Sequence, residues 1–298
     1  MPNFNSKDSS FTYWVLGLVI AVLIIFGLYT KVSFNKFKNL TAIATADYEN
    51  KIKNLENSVA NLETEKSSLY EQLAREKQIN EEFENQISEI EGTIGDLEKL
   101  SKTDPELLQK YSKVYFLSEN YIPSGIMQVS SAYTLNDGKE YWYHKQVWPF
   151  LEKMIKAAKS DRVDLLMVSG YRSFEEQMKV KSGNVVIYGT GTANQFSAEQ
   201  GYSEHQLGTT VDLTTKELAA NFEQIETTAA YEWLRKNAYK YGFILSYPKD
   251  NTYYQFEPWH WRFVGIKLAK DLHDDTKNFY DLTQRELDEY LINFFDKR

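Results

Sequence analysis

The 298-residue sequence predicts an α+β fold, an antiparallel sheet with flanking helices, preceded by a transmembrane helix and a coiled coil. Three observations predict it: an uncharged run near the N-terminus, an unbroken heptad pattern behind that run, and a C-terminal stretch in which helix and strand periodicities follow no strict alternation. Charge divides along the same lines. Residues 1–40 carry four Lys and one Asp, net +3; residues 41–100 carry six positive and 14 negative side chains, net −8; residues 101–298 carry 24 and 27, net −3. With 42% hydrophobic residues the chain can bury a core, which excludes wholesale disorder. It contains no Cys, so disulfides, Cys-based zinc fingers, iron–sulfur clusters and thiol nucleophiles are excluded, and a metal site must be built from His, Asp and Glu. A net charge of −8 argues against a nucleic-acid partner, which would need a basic face.

The first element is the uncharged run Ser9–Thr30, centred on Trp14-Val-Leu-Gly-Leu-Val-Ile-Ala-Val-Leu-Ile-Ile-Phe-Gly-Leu-Tyr29. Its 22 residues span about 33 Å as a helix, enough for the hydrocarbon layer of a bilayer. Trp14 and Tyr29 stand where interfacial aromatics belong. A cleaved signal peptide would have a shorter apolar core followed directly by small residues, whereas Ala44-Thr45-Ala46 lies well past the run. The segment therefore reads as an uncleaved signal anchor over residues 11–30 behind a tail of residues 1–10. Lys31, Lys36 and Lys38 follow it and only Lys7 precedes it, so the positive-inside rule alone would leave the C-terminal part in the cytoplasm.

The second element is a stalk over residues 45–100. With Ile52 at position a, the a and d sites are Ile52, Leu55, Val59, Leu62, Lys66, Leu69, Leu73, Glu76, Asn80, Phe83, Ile87, Ile90, Ile94 and Leu97, of which eleven in fourteen are apolar. Gly92 and Gly95 weaken its end and Asp104-Pro105 closes it. The pattern predicts a rod of about 75 Å that pairs chains into a homo-oligomer; a single amphipathic helix folded onto the rest of the protein is the other reading.

Residues 106–298 form the globular part. A helix is expected over Tyr141–Lys159, a buried strand over Val163–Val168 ended by Gly170, and a short helix opened by the S-x-x-E box Ser173-Phe-Glu-Glu176. Gly183–Gly201 reads as a loop with a small strand at Val185–Tyr188. A strand follows at Thr209–Thr215, then a helix over Thr228–Tyr241 stopped by Gly242. Phe243–Tyr247 and Tyr253–Val264 frame Lys249-Asp-Asn251 as an antiparallel hairpin, and two helices finish the chain, the last capped by Thr283 with Glu286.

The chemistry-bearing residues lie beside these strands. Ser203-Glu-His205-Gln leads into Val211-Asp212-Leu213, and Glu257-Pro-Trp-His260-Trp falls in the second hairpin strand. Two His and one carboxylate make a catalytic zinc set that leaves a coordination position open, and Glu257, three residues from His260, suits the general base such a site needs. From spacing alone, a satisfied core His, a surface Asp and a strand Glu remain the alternative. His144 reads as a packing residue, His273 as a solvated helix end, and Trp259 and Trp261 as core residues on the far face of their strand.

Four motifs occur in order: Ser169-Gly-Tyr-Arg-Ser173 with Gln177; Ser203-Glu-His-Gln206 with Val211-Asp212-Leu213; Asn237-Ala-Tyr-Lys-Tyr-Gly-Phe-Ile-Leu-Ser-Tyr-Pro248; and Glu257-Pro-Trp-His-Trp-Arg-Phe-Val-Gly265. Over roughly residues 140–270 the sequence resembles the VanY-type D-alanyl-D-alanine carboxypeptidases, zinc peptidases of the D-Ala-D-Ala carboxypeptidase and hedgehog-like fold. The resemblance implies one catalytic Zn2+ held by His205, Asp212 and His260, with Glu257 as catalytic base and Arg172, Gln177 and Ser203 contacting substrate, so that residues 106–298 are a zinc carboxypeptidase domain. Many relatives have a Pro where this chain has Gln200, a difference of loop stiffness that leaves the ligand set intact. Arg172 also suits the role chemically, because its planar fork matches a terminal carboxylate and the helix opened by Ser173 adds its positive end; a surface salt bridge to Glu175 or Glu176 is the plainer reading. The implied substrate is the peptidoglycan stem peptide, which places the catalytic domain outside the cell membrane against the Lys bias. Cleavage of an L,D bond or of a cross-link by the same machinery, or a scaffold that binds stem peptides without cleaving them, are the alternatives.

Overall fold

The computed structural model describes residues 7–111, 116–188, 198–249 and 255–297. The chain divides into two units, Met1–Glu89 and Ile90–Arg298. The described residues of the first lie on one continuous helix, α1 (Lys7–Lys102), which contains a stretch long and apolar enough to cross a membrane and carries the heptad sites behind it. Side chains along α1 are exposed through the apolar run and the heptad alike. The helix stops as Asp104-Pro105 requires: Asp104 caps a 3-10 turn, Pro105–Leu108, by accepting from the amide of Glu106 at 3.0 Å.

The second unit is α+β. Its main sheet is four-stranded and antiparallel, in the order β3 (Leu166–Ser169), β4 (Thr210–Thr214), β6 (His260–Phe263), β5 (Phe243–Leu245). A separate hairpin-like pair joins β1 (Ile126–Gln128) to β2 (Trp142–His144). The helices are α2 (Trp148–Ser160), α3 (Phe174–Tyr188), α4 (Ala229–Asn237), α5 (Ile266–Asp274) and α6 (Gln284–Asp288). Strand β4 is central and wholly buried, and alternation sorts its side chains: Val211 and Leu213 join the core while Asp212 faces the other side. Helix α2 covers that core with Phe150, Leu151, Met154, Ile155 and Ala158, the face expected of an amphipathic helix.

Local signals held where the chain itself completes them. Ser173 and Glu176 form their reciprocal box, with amide-to-side-chain bonds of 2.8 and 3.2 Å, and Thr283 and Glu286 do the same before α6. Thr228 caps α4, which continues as a 3-10 turn over Ala238–Tyr241 and stops at Gly242, φ +87°. A Cβ on Gly242 would sit 2.5 Å from the Phe263 ring.

Elsewhere the structure corrects the expected elements. The helix expected over Tyr141–Lys159 begins only at Trp148, with Pro149 in its first turn; Trp142–His144 is strand instead, because Ile126–Gln128 supplies a ladder partner that periodicity does not reveal. His144 is thus a buried strand residue, stacked 5.7 Å from the Phe295 ring. Val185–Tyr188 lies inside α3, since the helix opened by the Ser173 box simply runs on. The hairpin strand expected over Tyr253–Val264 is confined to His260–Phe263; Asp250 to Tyr254, including most of the expected turn, lie outside the described residues, as do residues 189–197 of the Gly-rich loop.

Substituting Gly242→Ala forces both a left-handed backbone and a clash with Phe263, and should lower stability by about 1–3 kcal/mol. Thermal unfolding of the variant checks this; an unchanged midpoint would mean that the turn relaxes freely.

Candidate active site

Strand register builds the centre of the site. Asp212 on β4 stands opposite His260 on β6 and opposite Ser169 on β3. His205 comes from the 3-10 turn Glu204–Leu207 just before β4, and Glu257 from the turn just before β6, where its amide bonds the Tyr247 carbonyl at 3.1 Å and its own carbonyl accepts from His260. The segment Gly170–Arg172 closes the group: the Arg172 amide donates to the His205 carbonyl at 3.1 Å, and His205 Nδ1 donates to the Gly170 carbonyl at 2.7 Å. Gly170 must lack a side chain, for a Cβ there would lie 2.4 Å from the Trp142 carbonyl.

The result is three donors, from His205, Asp212 and His260, all within 4.8 Å of one another and all buried. His205 Nε2 faces Asp212 Oδ2 at 3.2 Å, and His260 Nδ1 faces Asp212 Oδ1 at 3.2 Å and Glu257 Oε2 at 3.4 Å. Because the Gly170 carbonyl can only accept, it fixes the proton of neutral His205 on Nδ1 and leaves the Nε2 lone pair aimed at a carboxylate. Asp212 Oδ1 is buried without a hydrogen-bond partner. A buried carboxylate with one oxygen short of a hydrogen bond, beside an imidazole lone pair, is what a cation satisfies, and two imidazoles with one carboxylate are the donor set of a catalytic metal site. The residues fit a metal ion.

Charge is finely divided among these groups. Burial lowers the pKa of His205, with Asp212 opposing and the charge of Arg172 adding to the shift. Burial would also lower that of His260, but Asp212 and Glu204 outweigh it and raise it to about 10. Burial disfavours the charge on Asp212, yet His205 and His260 hold its carboxyl well below the usual range. Without a metal, then, a proton on His260 neutralises the cluster. Burial raises Glu257 to about 7, His260 opposing and Asp212 and Glu204 adding to the rise. Glu257 keeps 16% side-chain exposure, unlike the donors behind it.

Arg172 donates through Nη1 to Gln177 Oε1 and through Nη2 to Ser169 Oγ, both at 2.8 Å, and Gln177 Nε2 donates to the Ala198 carbonyl at 2.7 Å. Among the described residues no ion pair joins Arg172 to Glu175 or Glu176; Glu176 is engaged with Ser173. Ser203 is buried at the head of the Glu204–Leu207 turn, next to the donor cluster. His273 is exposed at the end of α5, stacked 3.7 Å from the Tyr239 ring, and Trp261 is buried in the core; both stand apart from the donors.

A family model described as VanY, D-alanyl-D-alanine carboxypeptidase, matches residues 140–266. The Bacillus subtilis protein named "Putative carboxypeptidase YodJ" is 35% identical over 214 residues, covering 70% of this chain and 76% of that protein. The chain belongs to the VanY D-alanyl-D-alanine carboxypeptidase family. As a VanY-family member it is a hydrolase of the peptidase class. A D-alanyl-D-alanine carboxypeptidase of Enterococcus faecalis is 33% identical over 140 residues, 43% of this chain and 50% of that protein. Among solved structures, that of the LdcB LD-carboxypeptidase covers 61% of this chain and 87% of its own at 34% identity and a TM-score of 0.53.

Motif reading of this VanY-family chain passes over the residues that hold the donors. Glu204 is fully buried; its Oε2 accepts from His260 Nε2 at 3.0 Å, and its Oε1 accepts from Arg262 Nη1 at 2.7 Å and Tyr280 at 2.8 Å, with Ser246 Oγ donating to both oxygens. Burial opposes this charge, but Arg262 and His260 hold the Glu204 pKa down to about 2. Tyr247 stacks on the His260 ring at 4.6 Å. One signal was available: Arg262 sits between Trp261 and Phe263 in a buried strand, where a charge demands a partner.

Replacing Glu204→Gln should leave Arg262 without its counter-charge, which costs about 3–5 kcal/mol of stability, and remove the charge that orients His260, weakening metal binding by the folded variant about 10–100-fold. Competition with a chelator measures it; unchanged affinity would mean that the ring is oriented by Tyr247 and the strand alone.

Proposed function

We propose that the protein is a membrane-anchored, zinc-dependent D-alanyl-D-alanine carboxypeptidase that trims the terminal D-Ala from peptidoglycan stem peptides. The observation that carries this reading is Glu257: a carboxylate with a raised pKa, 3.4 Å from His260 at the exposed side of a His205–Asp212–His260 cluster. A binding module has no need of that base. We assign Zn2+ to the cluster through His205 Nε2, Asp212 and His260 Nδ1, in keeping with the two-imidazole, one-carboxylate set. Zinc, when bound, polarises the scissile carbonyl and acidifies the water beside it.

The residues of the chain supply the rest. Glu257 takes the proton of the attacking water on its carboxylate and returns it to the leaving amine. Arg172, oriented by Ser169 and Gln177, holds the terminal carboxylate of the substrate, with Gln177 and Ser203 lining the same pocket. Glu204 keeps His260 Nε2 engaged so that Nδ1 faces the donors. A second reading, L,D-carboxypeptidase on the same site, draws support from the likeness to LdcB. In domain terms residues 1–10 are a tail, 11–30 the anchor, 45–100 the stalk and 106–298 the zinc carboxypeptidase domain, held outside the cytoplasm where its substrate lies.

Incubating the full chain in detergent with a stem pentapeptide and a stem tetrapeptide, and weighing the products, tests the activity. Loss of one alanine from the pentapeptide alone, abolished by chelator, is expected; cleavage of the tetrapeptide alone would favour the L,D reading. Glu257→Gln should reduce the rate about 10²–10⁴-fold. Since the base works only when ionised, activity should fall as pH falls, with the midpoint of that limb at or below about 7 because a bound cation pulls Glu257 down from its metal-free value.

Protease treatment of intact cells tests the orientation. The C-terminal domain should be degraded; its survival in intact cells and loss only in lysed ones would put it in the cytoplasm.

A further inference from the structure

We propose that the stalk is a parallel, in-register, two-stranded coiled coil, so that the partner on its apolar seam is a second copy of this chain. This rests on the reading of residues 45–100 as a coiled-coil stalk and adds strand number and direction to it. The seam is carried on one unbroken helix, and its apolar residues from Ile52 to Leu97 are exposed along α1.

Strand number follows from the shapes at the two seam positions. Ile52, Val59, Ile87 and Ile94 put β-branched side chains at four of the seven a sites, and Leu55, Leu62, Leu69 and Leu97 put Leu at four of the seven d sites. That combination packs best in two parallel strands, because the a and d layers of a dimer admit different side-chain approaches. Asn80 occupies an a site, where a parallel dimer brings it against its own copy and lets the two amides bond each other.

Direction follows from charge. In a parallel pair each g residue flanks the e residue five positions on in the partner, giving Lys51 with Glu56, Ser58 with Glu63, Glu65 with Tyr70, Gln72 with Lys77, Ile79 with Glu84, Gln86 with Glu91 and Thr93 with Glu98. None of these g–e pairs is like-charged. In an antiparallel pair e residues face e residues, and full overlap of the seam sets Glu56 and Glu63 of one helix among Glu84, Glu91 and Glu98 of the other. The same arrangement puts Asn80 opposite Leu69 and Lys66 opposite Phe83, burying each polar group against an apolar one. In the parallel pair Lys66 meets its own copy, but Glu65 at the adjoining g site supplies the opposite charge, and Lys77 at e does so for Glu76 at d.

The absence of native Cys makes this directly testable on the full chain in detergent. Light scattering corrected for detergent should give twice the 34.8 kDa chain mass. Mild oxidation should link Leu55→Cys to itself, and Ile90→Cys to itself, at least about tenfold faster than the outward-facing Asn57→Cys, because paired seam positions raise the effective thiol concentration. The double substitution Leu62→Asp with Leu69→Asp should return the mass to one chain without changing carboxypeptidase activity. A monomeric wild-type chain would overturn the stalk reading itself. A dimer in which neither seam variant links alone, while a mixture of Leu55→Cys and Ile94→Cys does, would keep the stalk and overturn the parallel assignment. A threefold mass, or a dimer that survives the double substitution, would overturn the two-stranded seam.

Discussion

One buried ion pair organises the catalytic unit. Arg262 and Glu204 are both fully buried and meet at 2.7 Å. Removing two charges from water costs several kcal/mol per ion, and the pair is tolerable only if the remaining hydrogen-bonding capacity is filled. It nearly is: Glu204 accepts from Ser246, Tyr280 and His260 as well, and Arg262 Nη2 donates to the carbonyls of Leu107 and Gln109 at 2.9 Å each while the guanidinium lies 4.5 Å over the Phe279 ring. These partners come from the segment after α1, the turn before β4, strand β6 and the C-terminal turns. The pair therefore ties the ends of the domain to the strand that carries His260. Losing either member would leave the other as an uncompensated buried charge, so the hub resists piecemeal change.

The two imidazoles of the site are held in unlike ways, and the difference has chemical consequences. His205 is anchored on a neutral carbonyl and stays neutral; His260 is flanked by carboxylates and, without a metal, carries a proton. A metal ion binding at this cluster must displace that proton, so binding is coupled to proton release and weakens in acid. Glu257 feels both conditions. Burial raises its pKa, and the charge of His260 or of a cation in its place lowers it again, which leaves a carboxyl group with a pKa near neutrality beside the donors.

The parts of this structure legible in the sequence are those whose cause is local. Capping boxes at Ser173 and Thr283, the glycine stop after Tyr241 and the buried strand around Asp212 each depend on a few neighbouring residues, and each formed as expected. That His205, Asp212 and His260 come together was legible because motif order carried them. What was not legible depends on partners distant in the chain. Trp142–His144 looks helical until Ile126–Gln128 pairs with it. Glu204 reads as one more acidic residue beside a His, and its role emerges only when Ser246, Arg262 and Tyr280, 42 to 76 residues away, close around it. Sequence periodicity reports which face of an element is buried; it does not report which buried polar groups will meet.

The two arginines near the site show how the same side chain is put to opposite uses. Arg262 has a carboxylate partner, Glu204, and its charge is consumed inside the fold. Arg172 is held as firmly, by two hydrogen bonds of 2.8 Å, but both acceptors are neutral: the Ser169 hydroxyl and the Gln177 amide oxygen. Neutral acceptors fix the direction of the fork without cancelling its charge, and that charge is felt at His205 and Glu257. A carboxylate that reaches Arg172 therefore meets a cation already oriented, with little side-chain entropy left to lose. Had Glu175 or Glu176 been the partner, the orientation would have survived and the affinity for an anion would not. The engagement of Glu176 by the Ser173 cap is thus part of what leaves the charge of Arg172 uncancelled, so a helix-starting box helps to set the electrostatics beside the donor cluster.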